Sequence, residues 1–488
     1  MTLAELLPRL SGARLMGDGG CRVSGITHDS RLTMPGIVFA AVPGLGAHGL
    51  DFLDQAIEHG ASAVLTDRPR PQSITLPWLQ SENPRRDMAE AAWILAGEPQ
   101  RDLHLIGITG TNGKSTVAHL VSLIFGAAGR PCGFLGTLGL HLPGGEIIPG
   151  ERTTPEATDL ALQFRHLVDD GGQALAMEVS SHALVQERLA GLKFNTAVFT
   201  NLSRDHLDFH GDMEDYFEAK KLLFDQHLEG EGRRVLPADE PWGARLLAES
   251  RSGDVSWGLS EGDVHARNFR LNLEGCRFTL TMGGMTQEVS LGLIGEHNMR
   301  NALAAAAAAW AAGVAPEAVA TGLNRARPLP GRLERIETDA PFPVFVDYAH
   351  TPDGLRAVLS SLRSITERRL IVVFGAGGDR DSGKRGPMGR SVGELAHLPV
   401  VTSDNPRTED PASIALAVAQ GVRNGGGRPE VVLDRREAIK YALEEADENS
   451  LVVVAGKGHE AEQTIGNRRL PFSDATVISE LLKENPCS

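Results

Sequence analysis

The sequence predicts an α/β protein of three domains: a small N-terminal α/β domain, a central P-loop ATPase-like domain on a mostly parallel sheet, and a C-terminal Rossmann-like α/β domain. Three observations lead there. Short aliphatic runs such as Leu105-Ile106-Gly107-Ile108 and Leu451-Val452-Val453-Val454-Ala455 alternate with helical patterns, as in parallel sheets covered on both faces. Polar or glycine-rich clusters follow these runs, at the strand ends where such sheets bind ligands. One cluster, from Gly107 through Gly110-Thr111-Asn112-Gly113-Lys114-Ser115-Thr116, leads from a strand into a helix-compatible segment and forms a phosphate cradle.

The composition sets the outer limits. At 488 residues, two to four domains are expected. The chain is 41% hydrophobic and 23% charged, with a formal net charge of −15 and no long basic run, which argues against a nucleic-acid surface. The four cysteines, Cys21, Cys132, Cys276 and Cys487, form no C-x-x-C pair, so reduced thiols in a cytoplasm are expected. The N-terminus lacks a basic start followed by an apolar core, and a signal peptide is not expected. The most apolar run, 302–313, is about half of a bilayer span. A monomer that does not insert into membranes is the expectation.

Residues 1–95 read as the first unit, with strands at 37–42 and 63–65 and a helix at 52–59. The proline-rich stretch 69–84 reads as a linker region. Residues 96–330 read as the second unit. Its phosphate loop departs from G-x-x-x-x-G-K-[ST], because Ile108 stands where the pattern wants glycine. The rest of the loop keeps its logic: backbone N–H groups and a helix N-terminus face an anion, Lys114 reaches phosphates and Ser115 faces Mg²⁺. Glu178 ends a second strand, and Asn201 to His206 follow a third. His206 and His210 have the i, i+4 spacing of a zinc helix but lack the adjacent glutamate, so zinc hydrolysis is rejected. Lys220 and Lys221 point about 100° apart on a helix, so at most one faces the crevice. Asn298 either meets a ligand or caps the alanine-rich helix. Residues 331–488 read as the third unit, with polar clusters at 347–353, 375–381, 403–407 and 456–460. The run at 375–378 lacks the dinucleotide spacing, so NAD is not expected.

These clusters, in this order, resemble the Mur ligase family over essentially the whole chain. The motifs are Thr-Gly-Thr-Asn-Gly-Lys-Ser-Thr (109–116), Glu-Val-Ser-Ser-His (178–182), Asn-Leu-Ser-Arg-Asp-His-Leu-Asp-Phe-His-Gly (201–211), His-Asn-Met-Arg-Asn (297–301), Asp-Tyr-Ala-His-Thr-Pro-Asp (347–353) and Asp-Asn-Pro-Arg (404–407). The resemblance implies an ATP- and Mg²⁺-dependent ligase of peptidoglycan precursor synthesis. It implies that ATP phosphorylates the D-glutamate side chain of UDP-N-acetylmuramoyl-L-alanyl-D-glutamate, and that an amine of meso-diaminopimelate attacks the acyl phosphate. The implied catalytic residues are Lys114, Glu178, His206 and Lys220, the last as a carbamate, with Ser115, Glu178, His206 and Lys220 around the metal. ATP would be held by residues 110–116 together with Asn298, Arg332 and Asp347. The UDP-substrate would meet His28, Ser30, Leu45, Gly46, Ala47, Thr153, Thr154, Ser180, Gln186 and Arg188. Diaminopimelate would meet Arg380, Asp404, Asn405, Pro406, Arg407, Gly456 and Glu460. The alternatives are a lysine-adding homologue, a ligase like folylpolyglutamate synthase, and a P-loop switch protein that takes no amine.

Overall fold

The structure is a computed structural model that describes residues 1–44, 46–150 and 152–484. Its described residues fold into three α/β sheets in succession along the chain, followed by a hairpin of Glu462–Ile465 and Arg468–Pro471.

The first sheet orders its strands Arg14–Met16, Trp78–Gln80, Ala63–Thr66, Ile37–Ala40 and Gly25–Thr27. Only the first pair is antiparallel. Part of the stretch that reads as a linker is therefore core: Trp78 and Leu79 are buried in a strand, and Pro84 starts the helix Pro84–Leu95. The strand is three residues long and follows Pro77, so periodicity had nothing to act on. Asn83 caps the helix with its side chain on the Arg86 N–H, and proline suits the first helical position.

The second sheet has eleven strands. Those from Val264–Asn272 through Val255–Gly258, Leu228–Pro237, Phe194–Phe199, His104–Thr109 and Ala174–Glu178 to Cys132–Gly136 run parallel. Antiparallel strands close both edges, which the sequence did not announce. His104–Thr109 lies between Ala174–Glu178 and Phe194–Phe199. The chain leaves it toward one side of the sheet and later returns to the other, so its carboxyl end is a switch point where a crevice opens. The helix Glu296–Ala311 buries every residue from Ala302 to Ala309, and its small side chains let it lie close to the sheet.

The third sheet orders Glu334–Ile336, Val344–Asp347, Ser450–Ala455, Arg369–Phe374, Leu398–Val401 and Glu430–Val431. All its pairs except the first are parallel. Every residue of Ser450–Ala455 is buried, as its unbroken aliphatic pattern requires. Beneath the strand ends, Arg435 and Asp474 form a fully buried two-pronged ion pair with N···O distances of 2.7 Å. Arg435 also donates to the Ala455 carbonyl, which steadies the backbone that enters Gly456. No helix among the described residues is long and apolar enough to cross a membrane.

Candidate active site

The phosphate loop follows Thr109, and its departure from the strict pattern has a structural cause. Ile108 is a buried strand residue paired with Glu178 and Val198, so the turn begins two residues later at Gly110. Gly110 has φ +148°, and a Cβ there would fall 1.9 Å from Thr200 Oγ1. Gly113 has φ +88°, and its Cβ would strike Asn301 Oδ1 at 2.3 Å. The segment after Phe194–Phe199 braces the loop. Asn201 Oδ1 accepts from the Asn112 N–H at 3.0 Å, and Thr200 Oγ1 donates to the Asn112 carbonyl at 2.7 Å. Gly110→Ala therefore displaces the loop, because the substitution adds a steric clash to a backbone conformation that only glycine adopts readily. Nucleotide titration of the variant should show affinity reduced about fivefold or more, with an expected cost of about 1–3 kcal/mol; unchanged affinity would show that the loop does not hold the nucleotide.

Two lysines meet at this turn. Lys114 Nζ donates to the Gly110 and Thr111 carbonyls at 2.9 and 2.8 Å. Lys220 Nζ donates to the same Gly110 oxygen at 2.9 Å and sits 4.5 Å from the Tyr216 ring centroid. Its neighbour Lys221 turns outward and pairs with Glu249 at 2.6 Å, so one lysine of the pair turns in beneath the phosphate loop and the other does not. Desolvation lowers both inward lysines, and Lys114 pushes Lys220 lower still, well below the ordinary lysine range.

Glu178 is buried at the next strand end and accepts from the Thr137 N–H at 2.9 Å. Gly136 makes the room, since a Cβ there would lie 1.9 Å from Glu178 Oε1. His206 follows the third strand in a left-handed conformation, φ +56°. Although 45% of its side chain is accessible, its ring lies edge-on to His182, and desolvation in the cleft lowers its pKa and keeps it neutral. The beginning of the third unit lies across the cleft from these groups. Arg332 Nη2 donates to Ser115 Oγ at 3.1 Å and its guanidinium stacks on Tyr348. Asp347 accepts from the Leu333 and Ala349 N–H groups at 2.6 and 2.7 Å, and burial raises its pKa. Asn298 donates to the Ile294 carbonyl and accepts from Asn301 at 3.1 Å, so it faces the cleft as part of a bonded pair.

Lys114, Ser115, Glu178, His206, Arg332 and Asp347 line one cavity of about 580 Å³, whereas Lys220 is buried behind the loop at the Gly110 carbonyl and does not line it. Thr153 also lines it. Thr154 lies behind, donating to the Glu178 carbonyl and accepting from the Ser180 N–H. Arg188 donates to the Thr154 carbonyl at 2.8 Å and to Gln186 Oε1 at 2.6 Å. Of the first unit, His28 Nδ1 lies 3.3 Å from Thr158 Oγ1, Ser30 donates to Gln55, and Gly46 and Ala47 are exposed in a turn. Leu45 lies outside the described residues. None of His28, Ser30, Gly46 or Ala47 lines the cavity.

The third-unit cluster forms a second centre beyond Tyr348 and His459, whose rings are 5.3 Å apart. Asp404 and Asn405 are buried, and Asn405 Nδ2 donates to Glu460 Oε2 at 2.8 Å. Gly456 is required beside Asp404, because a Cβ there would approach Asp404 Oδ2 to 2.6 Å. The Pro406 carbonyl packs against Gly378, where no side chain fits. Arg407 has φ +53° and donates to the Gly378 carbonyl at 2.7 Å. Arg380 is exposed on the next loop, with its charge felt by His182 across the cleft.

Three further charged side chains around the site, Asp205, Glu156 and Lys457, were not legible as such in the sequence. Asp205 lies 3.7 Å from Lys384, linking the second and third units. Burial opposes its ionisation, but the Lys384 ammonium and the His206 N–H, which donates to its carboxylate at 3.0 Å, favour the charged form and hold its carboxyl low. Glu156 is nearly buried among Arg85, Arg152 and Arg188 at 3.0, 2.8 and 3.1 Å. Lys457 is fully buried against Asn405 and Glu460. The only sequence signal for these was a charged residue inside or beside a polar cluster.

Comparison with known proteins places this architecture. The family's "Mur ligase middle domain" matches residues 108–309, its "glutamate ligase domain" residues 331–458, and its "catalytic domain" residues 22–98. A relative from Solibacter usitatus is 42% identical over 491 residues, covering 99% of this chain and 98% of its own. The chain belongs to the Mur ligase family. That relative is named UDP-N-acetylmuramoyl-L-alanyl-D-glutamate–2,6-diaminopimelate ligase, as is one from Streptomyces coelicolor that is 43% identical over 494 residues, covering 99% of this Mur ligase and 96% of the relative. A solved structure of a ligase of the same name aligns over 100% of both chains with a TM-score of 0.67 and 31% identity. MurF from Acinetobacter baumannii shares the fold of this Mur ligase with a TM-score of 0.73 at 21% identity, covering 99% of this chain and 98% of its own.

Proposed function

We propose that this Mur ligase uses ATP to join meso-2,6-diaminopimelate to the D-glutamate side chain of UDP-N-acetylmuramoyl-L-alanyl-D-glutamate. The relatives' names and full-length similarity support the reading. The observation that carries it is the Asp404-Asn405-Pro406-Arg407 cluster, folded against Gly456 and Glu460 beside a cavity floored by a phosphate loop. In this reading residues 1–95 hold the UDP end, 96–330 hold ATP and 331–488 hold the incoming amino acid.

A carboxylate is a poor acyl donor because oxide leaves badly. Transfer of the γ-phosphoryl group from ATP to the D-glutamate carboxylate creates an acyl phosphate, and the amine then displaces phosphate to give the amide. Such transfer needs positioning and charge neutralisation more than covalent help. Lys114 supplies a charge that can turn from the loop carbonyls to the phosphates. Arg332 and Asp347 approach from the third unit and bracket the nucleotide. Lys220 suits carbamylation: it is buried, and its lowered pKa favours the neutral amine, which adds CO₂ and releases a proton.

The described residues contain no group of three or more His, Cys, Asp or Glu side chains that would hold a metal alone. Sparse oxygen donors at Ser115 and Glu178, with neutral His206 nearby, suit Mg²⁺ that keeps phosphate and water ligands. Those three residues and a carbamate on Lys220 would hold it, and the ion would neutralise developing phosphate charge.

The test is phosphate release with ATP and each substrate omitted in turn. Release that requires both the UDP-dipeptide and the amino acid is expected. Release with neither favours a P-loop switch, and release with a folate favours the folylpolyglutamate-type reading.

A further inference from the structure

We propose that Lys457 is a positioning residue of the amino-acid site, and that through it the site selects an acceptor carrying an ammonium beside its distal carboxylate. The inference rests on the diaminopimelate reading above and extends it to a residue outside the expected ligand set.

Lys457 has no exposed side-chain surface, yet its three N–H groups are matched by three acceptors. They are Glu460 Oε2 at 2.8 Å, the Glu462 carbonyl at 2.6 Å and Asn405 Oδ1 at 3.3 Å. Those acceptors lie on the loop after Ser450–Ala455, on the hairpin strand Glu462–Ile465 and on the loop after Leu398–Val401. One ammonium thus ties the 457–462 stretch to the loop that carries Asn405, 52 residues earlier.

The arrangement fixes the Asn405 amide. Its Oδ1 also accepts from the Thr464 N–H at 2.9 Å, so a flipped amide would face its NH₂ toward two donors. Nδ2 must therefore point to Glu460 Oε2. Glu460 Oε2 receives both Lys457 and Asn405, and Glu460 Oε1 has no donor among the described residues. The Glu460 side chain is 33% exposed. Lys457 thus holds Glu460 in one rotamer with a single oxygen free for a cation. Arg407, on the loop that Asn405 anchors, is the cationic partner for a carboxylate. A carboxylate receiver and an ammonium receiver on segments that Lys457 and Asn405 tie together suit one zwitterionic amino-acid centre.

The experiment compares meso-diaminopimelate with 2-aminopimelate, which keeps the distal carboxylate and lacks the distal amine. In the wild type, kcat/KM should favour diaminopimelate by about a hundredfold or more, because a site built to bind an N–H group rejects the analogue that lacks it. In Lys457→Met that preference should collapse to within about tenfold, through a raised KM for diaminopimelate, while the KM values for ATP and UDP-dipeptide stay within about twofold. Lys457→Gln, which keeps part of the donor set, should fall between. Wild-type preference retained in a folded Lys457→Met enzyme overturns the proposal. So does failure of both variants to fold, which would make Lys457 a stability residue. A wild type that accepts neither amino acid overturns the functional reading and this inference together.

Discussion

Lys220→Ala should lower kcat by a hundred- to a thousandfold, on the order of what is lost when one preorganised charged group is removed from a transition state. The reason is geometric. Lys220 meets Lys114 at the Gly110 carbonyl, and an uncharged or carbamylated side chain there relieves two ammonium groups crowded onto one oxygen. Burial and the Lys114 charge already disfavour its protonated form. A carbamate would place a carboxylate at the end of the buried stem, where it can help hold a cation that no ammonium could. Millimolar acetate or formate should therefore restore part of the kcat of Lys220→Ala. A variant of unchanged thermal midpoint that neither short carboxylate rescues would count against carbamylation. A variant with nearly full activity would remove Lys220 from the catalytic group.

Arg407→Ala should reduce kcat/KM for diaminopimelate by about thirtyfold or more, from the roughly 2–5 kcal/mol that follows loss of one partner of a desolvated charge pair. Its KM for ATP should change by less than about twofold, because Arg407 does not line the nucleotide cavity. A planar guanidinium binds a carboxylate in a fork, and Arg407→Lys should recover little because an ammonium does not fix that orientation. The backbone supports this role. Arg407 holds φ +53° by donating its N–H to the Thr464 carbonyl and accepting from the Gly466 N–H, an arrangement that costs about 1–3 kcal/mol and is held by its surroundings. Equal loss of ATP and diaminopimelate affinity would mean that the substitution disturbs the cleft as a whole.

What could be read from the sequence was local and periodic. The strand–turn–helix at 104–127 and the aliphatic strands of the third sheet followed from pattern alone. The polar clusters fell at strand ends because parallel sheets gather their carboxyl ends on one edge. Spacing could say that at most one of Lys220 and Lys221 faces inward; the family resemblance pointed to Lys220, and the structure gives the inward contact as the Gly110 carbonyl, 110 residues away. The buried strand at Trp78–Gln80 was masked by prolines on either side of a three-residue element. Lys457 looked like one more residue of a glycine-rich loop. Its role appears only when Asn405, 52 residues earlier, is folded against it. Glu156 was hidden in the same way, since two of its three arginines lie 71 and 32 residues away in sequence.

The most direct measurement of the central claim is acceptor selectivity with ATP and the UDP-dipeptide held fixed, reading phosphate release with meso-diaminopimelate against L-lysine. One cleft in which Lys114, Glu178 and Lys220 activate a carboxylate, with Arg407 orienting the amine donor, predicts kcat/KM at least about a hundredfold higher for diaminopimelate. Equal use of the two amino acids, or a preference for lysine, would contradict it.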